Sequence, residues 1–142
     1  VHVLYVIQDI EVFVRKLEEH ADRVIVVVYQ APPQSQIYPL WEMVHGVRRL
    51  PLPSLPELLE VLKQLGIKPD VQVIRTGSSR GFDSFALARD QIARRLYVYE
   101  GTPEMELLGL ILSEVLEETD GVVTIIDSIP LEPHVVSWRP KG

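Results

Sequence analysis

Residues Thr76-Gly77-Ser78-Ser79-Arg80-Gly81 place two glycines, hydroxyl side chains and a guanidinium in one short stretch. Glycines let a backbone turn sharply and expose its N–H groups, and an arginine adds a planar fork of donors. An apolar run, Val71–Ile74, precedes the stretch, and a helically spaced segment, Phe82–Arg95, follows it. A junction of that composition suits an anion, because free N–H groups and a helix N-terminus meet there. The same residues equally suit a tight turn with solvated serines. The stretch is not a P-loop, and Gly77 and Gly81 lack the third glycine of a dinucleotide fingerprint.

Other residue types are weaker candidates. Asp9, Asp83, Asp90 and Asp127 could supply metal carboxylates, although Asp9 equally caps a helix and Asp83 suits a first helical turn. His2, His20, His45 and His134 have no metal-ligand spacing. Ser78 or Ser79 as a nucleophile needs a base, and no nucleophile elbow is present. Tyr29, Tyr38 and Trp41 border a long connection, where they could stack on a base or pack in a core.

The elements that must position these residues follow from periodicity. Short apolar runs at 2–7, 23–29, 71–75, 96–100 and 122–127 read as strands, and 47–52 as an edge strand limited by Pro51. Asp9 opens a helix with an apolar face of Ile10, Phe13, Val14 and Leu17. Ser54-x-x-Glu57 is a capping box for a helix that stops at Gly66. Further helices are predicted over Phe82–Arg95 and from Thr102-Pro103 to near Asp120-Gly121. Residues 30–46 read as an irregular connection, and 128–142 as a loop or arm.

Strand and helix alternate, which predicts an α/β fold: a Rossmann-like three-layer sandwich with a mainly parallel sheet over 1–127, followed by a C-terminal tail over 128–142. In such sheets ligands bind beyond the carboxyl ends of the strands. That rule selects Gln8-Asp9, Gln30-Ala31-Pro32, Gly77–Arg80 and Glu100-Gly101-Thr102. The expected ligand-binding residues are therefore Gln8, Asp9, Gln30, Gly77, Ser78, Ser79 and Arg80.

Composition bounds the function. The 142 residues include no Cys, so disulfides and thiolate chemistry are excluded. No Asn is present and 11 Pro are, which fits a thermophilic source, although 7 Gln remain. A net charge of −6 argues against broad binding to nucleic-acid backbones, so no direct DNA binding is expected. Local arginine pairs at Arg48-Arg49 and Arg94-Arg95 leave room for a small basic pocket. No run is long enough to cross a bilayer, and no signal-peptide pattern opens the chain, so the expectation is a cytoplasmic protein.

The stretch "VQVIRTGSSRGFDSFALARDQIARRLYVYEG" (71–101) resembles the central motif of the CARF domains, the CRISPR-associated Rossmann folds. Thr76-Gly77 match that motif, Ser78-Ser79 replace Gly-Thr, and Arg80 stands in place of Lys. The resemblance implies a homodimer that binds a cyclic oligoadenylate, or another phosphate-bearing small ligand, across its two-fold axis. It implies no cofactor, and it implies a sensor of antiviral signalling or a metal-independent ring nuclease. Catalytic residues stay unassigned, because Arg80 is a poor proton donor and its role is binding. A second resemblance, carried by "GSSRGFD", is to the DprA and LOG group of nucleotide binders. A third reading needs no ligand: an assembly subunit that uses its acidic surface and the apolar "LLGLIL" helix.

Overall fold

A computed structural model of the chain describes residues 4–75, 81–128 and 131–141. Two compact units interrupt one another in sequence. Unit 1 takes 4–33, 51–75 and 131–141, and unit 2 takes 34–50 and 81–128.

Unit 1 is built on a three-stranded antiparallel sheet ordered β1-β5-β2, with β1 at Val24–Tyr29, β2 at Asp70–Val73 and β5 at Pro133–Trp138. Val26 pairs with Val136 and Val24 with Trp138, while Val71 meets Val136 from the other side. Val24, Val26 and Val28 are buried, whereas Ile25 between them is 47% exposed. Period-2 side chains thus put one face in a core and leave the other open. Helix α1 (Ile10–His20) brings Val14, and α3 (Leu55–Gln64) brings Leu55, Leu58 and Leu62, to that buried face.

Unit 2 contains α2 (Tyr38–His45), α4 (Phe85–Arg95), α5 (Pro103–Val115) and a hairpin of β3 (Leu116–Thr119) with β4 (Val122–Ile125). Its core joins Leu40 and Val44 to Ile92, Leu96, Leu108, Leu112 and Val123. The Ser84 hydroxyl caps α4 by accepting the Leu87 N–H at 3.1 Å. Thr102 caps α5 by accepting the Met105 N–H at 3.3 Å, with Pro103 in the first turn. The hairpin turns on Asp120 and Gly121, both at positive φ (52° and 78°), the signature of a two-residue primed turn. Phe82 and Val123 exchange two backbone hydrogen bonds at 2.8 Å, so the segment entering α4 docks along β4.

The mainly parallel Rossmann-like sandwich is overturned: every described strand pair is antiparallel. Leu4–Val6, inside an expected strand, is a 3₁₀ turn. The expected strand at 96–100 is a turn, and 47–52 pairs with nothing among the described residues. Residues 116–119, expected to continue a helix, form β3, and 38–45, expected to be irregular, form α2. β5 arises from the segment read as loop or arm and enters the middle of the sheet. The physical reason lies in the open face of β1. An apolar run suits a strand covered on both faces, but antiparallel sheets tolerate one exposed face and parallel sheets rarely do.

Candidate functional site

β1 and β2 both run antiparallel to β5, so their carboxyl ends lie at the same end of the unit 1 sheet. Two predicted site residues lie near it. The Gln30 side-chain oxygen accepts the Glu132 N–H at 2.9 Å, and its carbonyl lies 3.2 Å from the Ser54 hydroxyl. Gln8 lines a cavity of about 200 Å³ with Tyr5, Ile10, Ser54, Glu57 and Leu58. Asp9 sits at the N-cap of α1, but its side chain makes no cap hydrogen bond.

The chemistry of that cavity does not suit a phosphate. Its lining is mostly apolar and contains no Lys or Arg. Its one charged group is the Glu57 carboxylate, which accepts the Ser54 N–H at 2.9 Å in the predicted capping box. That backbone bond, followed by one from Glu57's own N–H, lowers the Glu57 pKa. Tyr5 accepts the Tyr29 N–H at 2.8 Å, and burial raises its pKa. Each of these polar groups already accepts a backbone N–H, so the cavity fits a small apolar molecule better than an anion.

Gly77, Ser78, Ser79 and Arg80 lie outside the described residues, and the CARF-like motif stands on the sequence alone. Gly81, next in the motif, has a local explanation. A Cβ there would lie 2.6 Å from the Val123 carbonyl and would strike Val122 Cγ1. Glycine is required for the close approach to β4, independently of any ligand. Glu100, Gly101 and Thr102 form the turn into α5, where the Thr102 hydroxyl donates to the Tyr99 carbonyl at 2.6 Å. Among the described residues no group of three or more His, Asp and Glu gathers to hold a metal ion.

Two surfaces of unit 2 stand out. The outward positions of α5 include two acids and two leucines at helical spacing: Glu106, Leu107, Leu110 and Glu114. Leu110 is 70% exposed and Leu107 40%. The hairpin adds Glu117, Glu118 and Asp120, and the sequence contains no Lys or Arg between Arg95 and Arg139. Neither the periodicity of α5 nor its apolar content showed which leucines are left outside.

The second surface joins the end of α2 to the end of α4. His45 Nε2 donates to the Leu96 carbonyl at 2.7 Å. The Trp41 ring lies 4.4 Å from His45 and meets Tyr97 edge-on at 6.2 Å, and the Arg49 guanidinium sits 4.5 Å over Trp41. Of the three aromatics expected to border the connection, only Trp41 joins this cluster. Tyr97 was hidden by the apparent strand "LYVYE".

Compared with family models, curated proteins and solved structures, the chain matches none. No helix among the described residues is long and apolar enough to cross a membrane.

Proposed function

We propose that the chain is an interaction module, and that the α5–hairpin face of unit 2 docks a basic amphipathic segment of another protein. One observation carries the reading: exposed Leu107 and Leu110 stand on a helix and hairpin that hold five Glu, one Asp and no cation. A helix, a turn, a second helix and a hairpin is an order used to read DNA, with the second helix in the major groove. Here that helix would bring Glu104, Glu106 and Glu114 against phosphates, which repels nucleic acid and attracts lysine and arginine. A basic helix with apolar anchors complements both the charge and the leucines. Two copies meeting through this face would set acid against acid, so the partner is a different chain. The sensor reading finds less support, because its loop lies outside the described residues and the unit 1 cavity holds a carboxylate instead of a cation.

The test is a titration of isotope-labelled protein with a leucine–lysine helical peptide, then with duplex DNA. The expected result is amide shifts confined to α5, β3 and β4, weakening as salt screens the charges. Leu110→Glu should weaken peptide binding roughly ten- to a hundred-fold, the worth of one buried leucine. Duplex DNA shifting α5, or self-association abolished by Leu110→Glu, would overturn the reading.

A further inference from the structure

Helix α4 ends in an unusual way. The Tyr97 N–H bonds to the Arg94 carbonyl at 3.3 Å and the Val98 N–H to the Ala93 carbonyl at 3.0 Å. That is a Schellman motif, which puts its closing residue in the left-handed region and normally uses glycine there. Helix α3 follows the rule: Gly66 closes it at φ 74°, with the same two bonds to Lys63 and Leu62. At the end of α4 the residue is Tyr97, at φ 55°. A side chain with a Cβ is strained in that conformation. Packing does not explain the choice, because Tyr97 is 63% exposed.

What the strained position does is hold a ring against Trp41. His45 fixes the end of α2 to the Leu96 carbonyl, so Tyr97 and Trp41 are set edge to face beside Arg49. Arg94 and Arg95 precede Tyr97 in the last turn of α4. Arg49, Arg94 and Arg95 form no ion pair among the described residues, although the chain is acidic. Tyr97 is an exposed ring backed by the half-buried Trp41, and an exposed ring beside unneutralised guanidinium groups is complementary to bases joined by phosphates.

We propose that Trp41, Tyr97, Arg49, Arg94 and Arg95 form a stacking platform for single-stranded nucleic acid. Base faces stack on the tyrosine ring and on the arginine plane, and the neighbouring guanidiniums meet the phosphates. A duplex hides its base faces and gains only the phosphate contacts. The platform uses residues of α2, α4 and their flanking turns, not the acidic outward face of α5, so it stands or falls separately from the docking reading.

The experiment is fluorescence anisotropy with a short labelled single strand, its duplex and AMP, alongside thermal melts of each variant. The single strand should bind best, with a log K against log salt slope of about −2 for three arginine–phosphate contacts. Tyr97→Gly should leave Tm unchanged or raised while weakening single-strand binding about ten-fold. Arg94→Gln with Arg95→Gln, both exposed positions, should flatten the salt slope without lowering Tm. Unchanged binding in Tyr97→Gly, equal binding of duplex and single strand, or AMP binding as well as the oligomer would each overturn the proposal.

Discussion

His45 Nε2 lies 2.7 Å from the Leu96 carbonyl oxygen and ties the last turn of α2 to the end of α4. Leu96 itself is fully buried, and its carbonyl is one of the orphan acceptors a helix leaves at its end. A histidine with no metal-ligand spacing thus has a structural role, because it supplies the missing donor.

Removing that donor should be felt. His45→Ala leaves the Leu96 carbonyl without its partner and should cost about 1–3 kcal/mol. Urea unfolding measures the loss. A change below the error of the fit would mean that water replaces the imidazole.

Gly109 sits inside α5, where an added Cβ meets nothing within 4 Å. Gly109→Ala should therefore stabilise the helix by about 0.5–1 kcal/mol, because glycine is the costlier helix residue. Thermal melts read the gain. If the partner's backbone packs closely against this turn, the same variant loses peptide affinity as it gains stability.

Gly81 predicts the opposite sign. Gly81→Ala drives a methyl into Val122 and the Val123 carbonyl, and should destabilise the chain by about 1–3 kcal/mol. A folded, fully stable Gly81→Ala would show that the approach to β4 is loose and would return the glycine to the ligand loop.

The pH limits follow from two groups in unit 1. The folded-state pKa of Glu57 is lowered, first by the Ser54 N–H. Its contribution is present above the unfolded carboxyl pKa and is lost as pH falls through the folded value. Burial raises the Tyr5 pKa. Its contribution is complete below the unfolded phenol pKa and is lost as pH rises through the folded one. Glu57→Gln should flatten the acid limb of a stability–pH curve, and Tyr5→Phe the alkaline limb. Limbs that stay as steep in both variants would place the linkage elsewhere.

Much of the candidate surfaces was out of reach of the sequence. Arg48-Arg49 and Arg94-Arg95 stood out as pairs, and Trp41 as a stacking candidate, but nothing local joins α2 to α4. Tyr97 looked like a strand residue because β-branched and aromatic neighbours surround it, and no glycine announced a helix end. Asp120-Gly121 carries the hairpin signal of a primed turn, yet the apolar spacing before it suggested that the helix ran on.

What the sequence determined by itself is the set of elements whose signals are local. The capping box at Ser54 and Glu57, Thr102-Pro103 ahead of α5, the apolar face of α1 and the run that becomes β1 all act within a few residues. A cap or a 3.6-residue stripe is complete in one or two turns, so it reads directly from the chain. The tertiary structure alone decided the pairing. Val26 meets Val136 from a segment far along the chain that showed no strand signal of its own, and that arrival made the sheet antiparallel. Strand direction depends on which distant segment supplies the hydrogen bonds, and no local period encodes it.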